Sequence, residues 1–416
     1  MPQLTTERIV FHVDVNSAFL SWEAARRVKA GEADLRCIPS AVGGDRDKRT
    51  GIILAKSVPA KRYGVQTGEP VGMALKKCPA LTIVKPDFHL YSQCSRAFMD
   101  ICRQYAPVVE PFSIDECFLD MTGTGHLYPD PVKTADEIRT VIRETLGFTV
   151  NIGVGSNKLL AKTAGDFEKP DKTHTLFTRE IPEKLWPLPV DALLSVGAAT
   201  AAKLRRARLD TVGLLAHAEL SYVQKILGDK TGLMLHRFAN GMDTSPVREF
   251  PEDAKGYSVS TTVEENITSR TGALQVLLAL TDSVCVRMRR DGAACRVIGV
   301  TVRDTDFKTV SHQKKLFSPT DITREIADTA RRLLDELWDG STPLRLLGVS
   351  LTDVTKEAWE QLSLLPDEKK EKARALDKAM DAIRSKYGTD TIVRGATIHT
   401  QSQVDRKHKA GEQPQL

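Results

Sequence analysis

The stretch Ser113-Ile114-Asp115-Glu116-Cys117-Phe118-Leu119-Asp120 sets two adjacent carboxylates at the head of an apolar, strand-like run. Such charges are rarely buried without a partner. Alternation along a strand would send Asp115 and Glu116 to opposite faces. A turn, bulge or strand end at that point lets both reach one site. A second short apolar strand, Arg8 through Asn16, also carries an acid near its end, Asp14. Two such strands side by side deliver carboxylates to one end, a hard oxygen-ligand site suited to Mg²⁺ and bound phosphates. The competing reading has Asp115 capping a turn and Glu116 merely solvated, and spacing alone leaves both open.

The elements that must position these acids belong to a 416-residue chain, enough for two to four domains. Hydrophobic content of 41% and charged content of 27% are those of a soluble globular protein. No apolar run approaches membrane-spanning length, and the N-terminus shows no signal peptide, so no membrane partner is expected. Seven scattered cysteines without paired short spacing argue against zinc and a disulfide framework, and for a reduced, cytoplasmic setting. A net charge of +5 is compatible with a nucleic-acid partner but does not demand one.

Hydrophobic pattern and turn residues predict strands over 7–15, 36–43, 52–55, 81–84, 108–111, 116–121 and 149–155. Helices are predicted over 17–29, 59–63, 89–105, 131–146 and 156–166, giving an α+β layer. Residues 177–240 read as short helices with no strand pattern. Within them, 194–204 reads as helix end, small-residue hairpin and helix, whose free N–H groups suit a phosphate. Residues 241–255 read as an aperiodic linker. From 256 to 354 the order is β-α-β-β-α-β, carrying Arg303, Lys314, Lys315 and other bases that favour a phosphate backbone. After about Lys356 comes a short apolar plug, a charged helix over 367–386 and a polar end, a tail suited to a pocket on a partner.

Together Val13-Asp14-Val15, Ser113-Ile114-Asp115-Glu116, Ala161-Lys162 with Lys169-Pro170, and Ser195-Val196-Gly197 leading into Thr200 resemble the Y-family (lesion-bypass) DNA polymerases, of the DNA polymerase IV branch. The resemblance spans about residues 7–354. It implies an α+β multidomain, right-hand-like architecture: α+β palm (7–17 and 81–170), small fingers (18–80), helical thumb with a helix-hairpin-helix (171–240) and β-α-β-β-α-β little finger (256–354). It implies that Asp14, Asp115 and Glu116, with the Val15 carbonyl, hold two Mg²⁺ ions, and that Phe19 is a steric gate against ribose. Lys169 would contact the incoming deoxynucleoside triphosphate, and Gly197, Thr200 and Lys203 would grip the backbone of primer-template DNA. Arg303, Lys314 and Lys315 would lie along the duplex. Gln361, Leu362, Leu364 and Leu365 resemble the sliding-clamp-binding peptide of bacterial polymerases, and a monomer is expected.

The implied activity is template-directed, low-fidelity translesion DNA synthesis by two-metal phosphoryl transfer. Departures cluster at the triphosphate: Ala55, Val58 and Lys61 stand where the family usually has Thr, Tyr and Arg, and Asn16 where it has a second Asp. Lys does not reproduce bidentate Arg–phosphate geometry, though Lys56 beside these positions can supply a point charge. The alternative is a catalytically silent DNA-binding accessory protein recruited to the clamp. A weaker one, a palm-fold nucleotidyl cyclase, leaves the hairpin, basic domain and tail peptide unexplained.

Overall fold

The computed structural model describes residues 8–45, 51–250, 252–356, 368–389 and 391–398. Two compact units divide near residue 251.

The first unit opens with β1 (Val10–Val15), in which every residue is buried. It continues through α1 (Ala18–Lys29), β2 (Ser40–Gly43), β3 (Ile53–Lys56), α2 (Val58–Arg62), α3 (Val71–Lys77) and β4 (Thr82–Val84). Next come α4 (Phe88–Arg103), β5 (Val108–Pro111), β6 (Glu116–Asp120), α5 (Pro131–Leu146), β7 (Val150–Gly155), α6 (Lys158–Gly165) and β8 (Thr173–Leu176). The main sheet has the order β5-β6-β1-β7-β8, so β1 lies at its centre, antiparallel to both β6 and β7. A central strand covered on both faces must be almost wholly apolar, which is why Asp14 and His12 stand out in it. Phe11, Val13, Trp22, Phe98, Ile138, Val150 and Ile152 join one core under α1, α4 and α5. The smaller sheet, β3-β2-β4, packs its own cluster around Ala41, Ile53 and Val71.

Two sequence expectations need correction here. The stretch at 171–176, assigned from sequence to the helical thumb segment, carries β8, which pairs parallel with β7 and closes the main sheet. Four residues reading Thr-His-Thr-Leu are too few for alternation to register as a strand. Residues 241–250, read as linker, lie against the first unit. Val247 is buried with Val10, Phe118 and Ala161. Asp243 accepts from the Leu159 amide at 3.2 Å, and Glu110 accepts from the Arg248 amide at 2.8 Å. Four short helices precede this stretch: α7 (Ala198–Arg206), α8 (Val212–His217), α9 (Leu220–Leu227) and α10 (Asp229–Ala239).

The second unit holds β9 (Gly256–Ile267), α11 (Arg270–Arg290), β10 (Ala294–Asp304), β11 (Thr309–Thr320), α12 (Thr323–Leu337), β12 (Leu344–Thr355) and α13 (Glu368–Tyr387). Its antiparallel sheet runs β11-β10-β12-β9, with α11 and α12 packed on one face. By length and composition α11 is apolar enough to cross a membrane, although no run read that way in the sequence. Its core-facing residues and the buried Asp282 at its middle fit a core helix. Helix α13, read as part of a tail, is tied to this unit. Arg384 pairs with Asp282 at 2.6 Å, and Arg289 with Asp381 at 2.6 Å.

Candidate active site

The acids meet at one end of the main sheet. Antiparallel pairing of β1 with β6 makes Asp14 the register partner of Glu116. The chain turns just before β6, and there the Val15 amide donates to the Asp115 carbonyl at 3.0 Å. Asp115 thus sits beside Val15, its carboxylate accepting from the Ser113 hydroxyl at 2.6 Å. The turn answers the alternation problem, because Asp115 precedes the strand while Glu116 begins it.

Two lysines neutralise the pair. Lys162, on α6, donates to Glu116 at 2.6 Å, and Lys169 donates to Asp14 while pairing with Asp166 at 2.8 Å. Helix α6 can deliver Lys162 because it lies directly on the backbone of β7. A Cβ at Gly153 would overlap the Ala161 carbonyl and the Gly165 amide. On β1 the buried His12 points Nε2 at the same Glu116 oxygen, 3.3 Å away.

Burial dominates Asp14 and holds its pKa above the ordinary value, against the pull of Lys169. Burial also opposes ionisation of Glu116, but hydrogen bonds from His12 and Lys162 prevail and bring it down to about 2. His12 is lowered by burial, which outweighs the Glu116 hydrogen bond, so its ring is neutral at pH 7. Among the described residues no three His, Cys, Asp or Glu side chains are gathered closely enough to form a finished metal site. The donor set itself consists of hard carboxylate oxygens, two of them already facing cationic ammonium groups, and that chemistry fits a hard divalent cation.

Comparison with known proteins decides the family. The chain matches the impB/mucB/samB family over residues 13–166, that family's C-terminal domain over 254–364, and the DNA polymerase-iota thumb domain over 191–243. DNA polymerase IV of Clostridium acetobutylicum is 39% identical over 392 residues, covering 94% of this chain and 98% of the relative. DNA polymerase IV of Acetivibrio thermocellus is 37% identical over 398 residues, with the same coverages. The chain belongs to the Y-family DNA polymerases, in the DNA polymerase IV branch. A solved Y-family DNA polymerase chimera shares its fold, with a TM-score of 0.71 at 23% identity over 83% of this chain and 99% of that one. This polymerase is therefore a DNA-directed enzyme of the translesion class, with primer-template DNA and deoxynucleoside triphosphates as substrates.

The other residues expected at the site from the sequence are spread over several elements. Phe19 lies in the first turn of α1, partly buried and stacked on Tyr91 with ring centroids 4.6 Å apart. Ala55 is buried in β3, Lys56 donates to the Thr67 hydroxyl at 3.2 Å, and Val58 at the start of α2 is 59% exposed. Lys61 is exposed on the same helix. Asn16 stitches the end of the sheet: its Oδ1 accepts from the Thr149 hydroxyl at 3.0 Å and the Asp171 amide at 3.0 Å. Its Nδ2 donates to Asn151 at 3.1 Å, so the departure from Asp makes this side chain structural.

Gly197 caps α7, leaving the amides at its start exposed, with Thr200 and Lys203 one turn apart on that helix. In the second unit Lys314 and Lys315 are exposed on the edge strand β11, and Lys315 pairs with Asp353 at 2.9 Å. Arg303 donates to the Thr309 hydroxyl at 2.7 Å. Gln361, Leu362, Leu364 and Leu365 lie outside the described residues. Sequence reasoning gave no role to His12 or Ser113. A histidine on an apolar strand carries no signal beyond its rarity there.

Proposed function

We propose that Asp14, Asp115 and Glu116, with the Val15 carbonyl, hold two Mg²⁺ ions and that template-directed extension of a primer 3′ end takes place over them. The register pairing of Asp14 with Glu116 at the strand end where Asp115 turns in carries this reading. Held by these residues, such ions would supply activation of the 3′-hydroxyl and charge stabilisation of the leaving pyrophosphate. Lys162 and Lys169 hold the two carboxylates in place before loading. Lys169 is then free to turn its ammonium to the triphosphate, with Lys56 and Lys61 as further point charges beside Val58.

On this reading Phe19 occupies the space of a ribose 2′-hydroxyl. Exposed amides after Gly197, with Thr200 and Lys203, grip a DNA backbone phosphate, and Arg303, Lys314 and Lys315 add sequence-independent phosphate contacts. The segments serve as palm, fingers, thumb and little finger, with β8 joined to the palm sheet and β4 to the smaller sheet of the fingers. The tail peptide Gln361–Leu365 recruits a monomeric, cytoplasmic enzyme to a sliding clamp.

Primer extension tests the site. With Mg²⁺ and four deoxynucleotides, the wild type extends a primed template and Asp115→Ala does not. Failure of both, with DNA binding intact, overturns the metal assignment. Replacing Tyr and Arg by Val58 and Lys61 removes a hydroxyl donor and a bidentate phosphate contact, so nucleotide binding is weaker than in ordinary family members. Restoring them as Val58→Tyr with Lys61→Arg tightens the nucleotide dissociation constant by roughly tenfold, the worth of one charge-assisted hydrogen bond. An unchanged constant would sink this idea.

A further inference from the structure

Glu23 is a buried carboxylate for which the proposed chemistry has no use: its side chain is only 1% exposed. It lies on α1 four residues after Phe19, a spacing that puts both on one helix face. Its Oε1 accepts from the Tyr91 hydroxyl at 3.0 Å, and its Oε2 pairs with the half-exposed Arg26 at 2.9 Å. Tyr91, on α4, is fully buried, and its ring lies nearly parallel to that of Phe19, at 15°. Phe88 packs edge-on against both rings, 5.9 Å from Phe19 and 5.6 Å from Tyr91.

We propose that Glu23 and Tyr91 are positioning residues for Phe19 that fix its ring plane and thereby set discrimination against ribonucleotides. The inference rests on the reading of Phe19 as the gate. A gate works by overlap with one hydroxyl, so a small tilt of its ring removes the overlap. Parallel stacking alone tolerates sliding and tilting of one ring over the other. The hydrogen bond from Tyr91 to a carboxylate on the helix that carries Phe19 ties the stacking partner to the gate's own backbone. The Tyr91 hydroxyl is held protonated by burial, with Glu23 adding to the effect, so it remains a donor. For stability alone an apolar residue at 23 serves as well or better, because a buried charge costs more than its pairing returns unless every bond is satisfied.

The test is the ratio of kcat/KM for a deoxynucleotide to that for the matching ribonucleotide, measured on primer-template DNA with the full chain and Mg²⁺. Phe19→Ala is the reference and lowers the ratio. Tyr91→Leu, which removes the stack, and Glu23→Ala, which removes the tie, each lower it by about tenfold, corresponding to loss of one specific steric contact. Glu23→Gln keeps an acceptor for Tyr91 and retains the wild-type ratio. A role confined to folding would lower Tm and slow both nucleotides in proportion, leaving the ratio unchanged in Tyr91→Leu and Glu23→Ala. That result, with Phe19→Ala still lowering it, overturns the positioning role. No effect of Phe19→Ala overturns the gate reading itself.

Discussion

Within β1, His12 is the residue whose presence stability cannot explain. It is fully buried, its Nδ1 finds no partner among the described residues, and its Nε2 serves Glu116. An unpaired buried nitrogen costs about 1–3 kcal/mol. A leucine at this position fills a similar volume without that cost but leaves Glu116 with Lys162 alone. His12→Leu therefore melts no lower than wild type, while kcat/KM for primer extension falls about tenfold, the usual effect of removing a group that orients a metal ligand, the role proposed for Glu116. Calorimetry beside steady-state kinetics checks both halves, and unchanged kinetics would sink the orienting role. The adjacent acids at the head of an apolar strand were visible in the sequence itself, whereas Phe19 and Lys169 were named only through the family resemblance. His12 and Glu23 were not visible, because their meaning lies in what they touch across the sheet and between helices.

At the scale of elements, the site depends on how closely α6 lies on β7. Gly153 and Gly155 leave that face of the strand bare; a Cβ at Gly155 would fall 2.7 Å from the Ala161 amide. Gly153→Ala forces α6 away from the sheet and Lys162 away from Glu116. Overpacking against backbone rather than a flexible side chain places the cost at or above the usual 1–3 kcal/mol. Tm falls, and primer extension is lost even at temperatures where the variant stays folded; near-normal activity there would refute the dependence. Strands and helices with strong periodicity, such as β1, α5 and the whole β-α-β-β-α-β segment, were legible within a few residues. Two parts were not. β8 is too short for alternation to show, and the stretch around Val247 is polar in composition yet held by one buried valine and backbone hydrogen bonds to Asp243 and Glu110. Composition reports solvent preference, and neither segment is positioned by its own periodicity.

At the scale of the whole chain, the surprise is that the second unit does not end with β12. Helix α13 and the residues after it are joined to α11 and α12 by buried charges. Asp282 accepts from Arg384 at 2.6 Å and Arg394 at 3.1 Å; Asp377 accepts from Arg394 at 2.7 Å and from the Thr323 amide at 2.8 Å. A lattice of this kind is weak evidence of net stabilisation, yet breaking it from one side is costly, because the remaining charge stays buried. Arg384→Ala thus destabilises the second unit by about 3 kcal/mol. Asp282→Ala with Arg384→Ala costs less than the sum of the two single changes, since neither charge is then stranded. The two units need not unfold together, so the calorimetric transition of the second shifts while that of the first does not. Additive effects in the double variant would show that α13 is held by apolar packing, with the ion pairs incidental. Nonadditivity would make the charged helix an integral part of the second unit, whose stability then limits how well the proposed phosphate contacts Arg303, Lys314 and Lys315 can be presented.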